Sequence, residues 1–213
     1  MLEHARFSPD LADLASIYEP GVHLAVAERR LDADAATFVA QVLRERSLPA
    51  VEWVMGPAQA SAPALVEALG LMGPKLAAIP GFDAWCADLD LQRELFASLF
   101  ELDAVGVRVA TLHGPMCPRF HVDHIPCRLI TTYGGRGTEW LPEPCVDRSL
   151  LGRSDLPLLR SASGDAIQVI EPECIALFRG EGWEGGSVGG VVHRSPHIGE
   201  ETPRLLLTLD FVH

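Results

Sequence analysis

Phe120-His121-Val122-Asp123-His124, followed by Cys127-Arg128-Leu129-Ile130-Thr131-Thr132-Tyr133 and the glycine-rich Gly134-Gly135-Arg136-Gly137-Thr138-Glu139-Trp140-Leu141, decides how this chain is read. A histidine and an aspartate stand two residues apart in a strand-like run over 119–124, which another follows over 127–133. Side chains at i and i+2 of a strand share a face, so His121 and Asp123 point the same way. The glycine cluster lacks the strand-to-helix context of a phosphate loop and reads as a hairpin turn.

Outward from this stretch the texture stays β-like. Val105, Val107, Val109 and Thr111 alternate at period two upstream. Downstream, strand-like runs are expected at 158–161, 166–170, 174–178, 191–194 and 204–212, with a turn at Ser163-Gly164-Asp165. Many short strands separated by Gly/Pro turns indicate a sandwich or jelly roll. Residues 180–190 are rich in glycine and form a loop directly before His193.

The first hundred residues read mainly as helix. Ser8 is expected to cap a helix with Pro9 in its first turn, and residues 22–27 suit a short strand. Asp32 is expected to cap a helix with Ala35, Phe38, Val39, Val42 and Leu43 at helical spacing. Ser61 is the candidate cap of another, carrying Leu65, Leu69 and Met72, and the longest helix is expected over 82–102. The fold class expected is α+β, with a mainly helical part over 1–103 packed on a jelly-roll, metal-binding part over 104–213. The whole length suits one compact domain.

Composition narrows the function. The net charge of −12 argues against a broad nucleic-acid docking face, which needs clustered cations. Lys75 is the only lysine, so Schiff-base chemistry has one candidate, and no pattern around it recommends it. No run is long and apolar enough to span a bilayer, and the N-terminus lacks the features of a signal peptide. Five widely spaced cysteines form neither a disulfide framework nor a CxxC zinc knuckle, so a cytoplasmic location is expected.

The chemistry concentrates in the second half. A distal His193, brought in by a neighbouring strand, would complete a facial triad with His121 and Asp123. Two neutral imidazoles and a carboxylate with open positions suit non-haem Fe(II); the same donors can hold Zn(II). Arg204 opens the next strand, where a buried guanidinium can grip a carboxylate through two parallel hydrogen bonds. Arg194 is the other candidate anion binder, although it should face away from His193. His124 should point opposite to the triad. His113 and His197 read as loop histidines, and Cys117 and Cys127 as small buried hydrophobes.

The constellation resembles the Fe(II)/2-oxoglutarate-dependent dioxygenase superfamily over about 120–211. His121-Val122-Asp123 corresponds to the superfamily's first ligand motif, Val192-His193-Arg194-Ser195-Pro196 to the distal one, and Arg204 to the basic anchor. The resemblance implies a double-stranded β-helix, with iron on His121, Asp123 and His193 and 2-oxoglutarate on Arg204. It also implies Tyr133 as a donor to the co-substrate carboxylate. One departure stands out: superfamily members often carry a small hydroxyl residue two positions after the anchor, and here that position is Leu206, with Thr208 the nearest hydroxyl on the same face. The pattern Tyr-Gly-Gly-x-Gly-Thr-Glu-Trp-Leu with His-Arg-Ser-Pro is also similar to an uncharacterised bacterial family. The function expected is an oxygenase acting on a small-molecule or protein substrate. The alternatives are a zinc-binding hydrolase or metal-homeostasis factor, and a non-catalytic binding module.

Overall fold

The computed structural model describes residues 4–56, 62–151, 166–184, 189–199 and 202–212. The candidate cap Ser61, the expected strand at 158–161 and the turn Ser163-Gly164-Asp165 lie outside them. In chain order the elements are β1 (Ala5–Ser8), β2 (Leu24–Ala27), α1 (Ala33–Glu45), β3 (Val51–Met55), α2 (Ala62–Ala68), α3 (Gly73–Ala77) and α4 (Phe82–Leu99). They continue as β4 (Val105–Leu112), β5 (Cys127–Gly134), β6 (Glu139–Leu141), β7 (Gln168–Val169), β8 (Ile175–Arg179), β9 (Val192–Arg194) and β10 (Arg204–Phe211).

Seven strands form a large sheet in the order β1-β2-β8-β5-β10-β4-β3, and three form a small sheet in the order β7-β6-β9. The two sheets share a core: Trp140 of the small sheet packs with Leu24, Ile130, Ala176, Phe178 and Leu206 of the large one. The other face of the large sheet is covered by helices, where Leu129, Tyr133, Leu177, Leu205 and Leu207 join the side chains of α1 and α4. Alternation along each strand therefore divides its residues between two buried environments. This is the mixed α and β architecture expected, with the described α-helices on one face of the large sheet.

The helices form where caps and periodicity coincide. Asp32 accepts a hydrogen bond from Asp34 N at the start of α1, and Ala35, Phe38, Val39 and Val42 make its buried stripe. Phe38 stacks on Trp85 of α4, with ring centroids 4.8 Å apart. The long helix stops at Leu99 rather than Leu102, because Glu101 takes a left-handed conformation and Leu102 N turns back to Ala97 O at 2.8 Å.

Three expectations need correction. Ser8 caps nothing, because it pairs with Ala27 as the last residue of β1. Asp10 is the cap, of a 3-10 helix over Leu11–Tyr18. The N-terminal part, read as mainly helical with a short strand at 22–27, also contains β1 and β3, and all three strands extend the large sheet. Finally, 119–124 is not a regular strand. Only His121 pairs, in an isolated bridge to His193.

His23, beside β2, is buried and stacks on His4 at 5.0 Å. Burial, with repulsion from His4 and Arg179 outweighing attraction to Glu143, pushes it from the ordinary 6.5 down to about 4. The unfolded chain then binds the proton more readily, so stability is full above pH 6.5 and falls as the pH drops towards 4. The melting temperature of His23→Gln should fall less steeply than wild type across that window. Identical slopes would show that His23 does not contribute.

Candidate metal centre and anion cleft

The bridge between His121 and His193 creates the site. His121 N donates to His193 O at 3.0 Å and His193 N to His121 O at 2.9 Å, so two histidines far apart in sequence stand directly opposite each other. Their rings approach to 4.6 Å between centroids. Asp123 lies two residues along, with Oδ1 3.7 Å from His121 Nε2 and Oδ2 3.6 Å from His193 Nε2. One ligand atom from each of the three lies within 4.8 Å of the others, and no other such group of three or more occurs among the described residues.

The electronic state of these groups suits a cation. Nδ1 of His121 lies 2.9 Å from Arg119 O, and Nδ1 of His193 lies 3.0 Å from Val191 O. A carbonyl can only accept, so each ring places its proton on Nδ1 and presents a lone pair at Nε2. Burial beside Phe178 pushes His193 down to about 4, an effect that Asp123 opposes and His121 reinforces; the imidazole is neutral at physiological pH. Asp123 Oδ1 accepts from Arg128 Nη1 at 3.0 Å, whereas Oδ2 is buried and has no hydrogen-bond partner. A buried carboxylate oxygen without a partner is costly. A divalent cation at the point where it meets two free Nε2 atoms would remove that cost, so the donor set fits the metal.

Arg204, at the start of β10, is 1 % exposed. Its Nε and Nη2 donate to Thr132 Oγ1 at 3.2 and 2.7 Å, and Nη2 also donates to Thr138 Oγ1. No carboxylate among the described residues pairs with it. Asp210, on the same strand, is held by Arg128 through Nε at 2.6 Å and Nη2 at 3.0 Å. Burial alone lowers the Arg204 guanidinium to about 10, so it remains charged at neutral pH. Its side chain and those of His121 and His193 line one cleft, walled by Ile130, Leu206 and Thr208. A wider open groove begins at Met116, Arg128 and Thr208 and runs over Val54, Gly106 and Arg108.

Of the other sequence candidates, Arg194 and the exposed Cys117 line the cleft, and the rest lie outside it. Tyr133 was expected to donate to a co-substrate carboxylate, but it sits on the opposite face of β5. Its hydroxyl donates to Asp88 at 2.9 Å and accepts from Gln92 at 3.0 Å, within the helical core. Burial and Asp88 raise its pKa well above the ordinary range. Arg194 donates to Glu139 at 2.7 Å and stacks on Phe120, so its charge is already matched. His124 is exposed and pairs with Glu181 at 2.8 Å. His113 and His197 are exposed, and all five cysteines are free.

Sequence reading missed Arg128, Thr132 and Thr138. The signal for Arg128 was a charged residue entering an otherwise uncharged strand. Its guanidinium ties Asp123 to Asp210 and so fixes one carboxylate oxygen while leaving the other free.

Comparison with solved structures relates the fold. The crystal structure of the dioxygenase for auxin oxidation from rice is similar with a TM-score of 0.53 and 13 % identity, over 98 % of this chain and 82 % of that one. A prolyl-4-hydroxylase from Pseudomonas putida has a TM-score of 0.47 and 16 % identity, over 96 % and 94 % of the two chains. The likeness to the rice enzyme carries the resemblance read from the sequence to the level of the fold. No curated protein shows significant sequence similarity. No helix among the described residues is long and apolar enough to cross a membrane. A family model described as protein of unknown function (DUF1826) matches residues 8–210, and the chain belongs to that family.

Proposed function

We propose that this protein is an Fe(II)- and 2-oxoglutarate-dependent oxygenase. One observation carries the reading: a buried guanidinium without a carboxylate partner among the described residues lines the same cleft as the two histidines of a His-Asp-His cluster with one orphaned carboxylate oxygen. An unpaired buried cation is expensive unless something anionic completes it. A dicarboxylic 2-oxo acid does so at one end and reaches the metal position with the other. Strand order supports the reading. From β4 on, the chain passes back and forth between the sheets, turning once within the small one from β6 to β7, so that β4-β10-β5-β8 faces a layer of the His121 bridge, β9, β6 and β7, the order of a double-stranded β-helix.

In this reading Nε2 of His121, Nε2 of His193 and Oδ2 of Asp123 hold the metal. The carbonyls of Arg119 and Val191 orient the two rings, and Arg128 orients the carboxylate. When bound, Fe(II) and 2-oxoglutarate together would supply oxygen activation for hydroxylation. Arg204 fixes the orientation of the co-substrate, and Ile130 and Leu206 keep water from its middle. The groove over Val54, Gly106 and Arg108 gives the substrate its approach.

An anaerobic titration tests this. Fe(II)-loaded protein should develop a visible charge-transfer absorption on adding 2-oxoglutarate, because that band needs a 2-oxo acid chelated to ferrous iron. Zn(II)-loaded protein should stay colourless. No absorption from protein with one iron per chain would overturn the proposal.

A further inference from the structure

Leu206 stands where a hydroxyl is often found after the basic anchor, yet the Arg204 guanidinium has two hydroxyl partners. Both come from the ends of the glycine-rich turn. Thr132 precedes Tyr133-Gly134-Gly135-Arg136-Gly137 and Thr138 follows it, and each accepts from the same guanidinium. The glycines explain how one turn can do this. Gly135 has a φ of +90°, and a Cβ there would stand 2.6 Å from Pro203 O and 2.9 Å from Arg204 Cα. A Cβ on Gly137 would stand 1.7 Å from Ile170 O. The turn can press against both the start of β10 and the segment after β7 only with glycine at both places. Ile170 N then donates to Thr138 O at 2.9 Å and fixes the exit of the turn.

The two threonines are not equivalent. Thr138 lines the cleft together with Arg204, His121 and His193, while Thr132 does not. Thr138 is 3 % exposed, and its hydroxyl oxygen already accepts from a cation. A hydroxyl that accepts still has one hydrogen to donate, and no acceptor for it is present among the described residues. Nη1 of Arg204 likewise makes no hydrogen bond to them. Donors from two residues thus converge on one end of the cleft.

Resting on the oxygenase reading, we propose that Thr138 is the second donor to the distal carboxylate of the co-substrate. The Gly-Gly-Arg-Gly turn is the device that presents it beside Arg204. The role often filled from the anchor's own strand is filled here from the turn between β5 and β6. The pair selects a 2-oxo acid with a second carboxylate over one without it.

Calorimetric titration of Mn(II)-loaded protein without oxygen decides the matter, using 2-oxoglutarate and pyruvate, which lacks the distal carboxylate. Thr138→Val should weaken 2-oxoglutarate binding about tenfold, equivalent to about 1.4 kcal/mol. It should leave Mn(II) stoichiometry and pyruvate affinity unchanged. Thr138→Ser should restore binding to within about threefold of wild type, since it keeps the hydroxyl. If the valine variant does not fold, Thr138→Ala carries the same expectation. Equal 2-oxoglutarate affinity in wild type and the folded hydroxyl-less variant would overturn the assignment, as would equal weakening for both ligands. Wild-type protein that binds Mn(II) but no 2-oxoglutarate would overturn the oxygenase reading as well.

Discussion

Asp123→Ala should abolish stoichiometric binding of a divalent metal. His121→Ala and His193→Ala should do the same. Each removes one of three converging donors, and the remaining two cannot hold the cation alone. The loss should exceed the 10–100-fold typical of residues that only support ligands. Asp123→Ala is the most informative of the three. It removes the orphaned Oδ2 and leaves the Arg128–Asp210 pair intact, so the sheet keeps its own ion pair. His124→Ala should retain its metal, because that ring is exposed and bonded to Glu181. Metal analysis after chelation and reloading checks all four variants. Full stoichiometry in any of the three ligand variants would exclude that residue from the site.

Arg204→Met should cost about 2–5 kcal/mol of 2-oxoglutarate affinity, the range for losing a buried, charge-assisted contact. Methionine fills similar apolar space and removes the charge, leaving Thr132 and Thr138 without their donor. Metal stoichiometry should not change, because Arg204 contacts none of the three ligands. Calorimetry of Mn(II)-loaded wild type and variant, without oxygen, reads the effect. Equal affinities would remove Arg204 from the site. The protein's own stability should change little, since removing a buried charge with no carboxylate partner among the described residues offsets the hydrogen bonds lost to Thr132 and Thr138.

How much of this was legible depends on the range of the interactions involved. Periodicity and caps placed α1, β4, β5 and β10, because Asp32, the alternation from Val105 and the run after Arg204 act locally. The short edge strands β1 and β3 carry little alternation, and their existence depends on pairing with β2 and β4. The spacing of His121, Asp123 and His193 was readable as a ligand set. Their convergence rests on an isolated bridge rather than on the continuous strand expected at 119–124. The error at Tyr133 was one of facing. Arg128 and Ile130 look towards the cleft, whereas Leu129 and Tyr133 look towards the helices. Nothing local to β5 says which face meets which layer. Thr132 and Thr138 were invisible for a related reason: a glycine-rich turn signals a reversal, but not which side chain it is pressed against.

A structure of the Fe(II)-loaded protein grown anaerobically with 2-oxoglutarate tests the central claim most directly. The account predicts a single metal on His121 Nε2, His193 Nε2 and Asp123 Oδ2, with the dicarboxylate chelating it and its far carboxylate on Arg204. Metal bound through other side chains, or a dicarboxylate that leaves Arg204 unpaired, would contradict it.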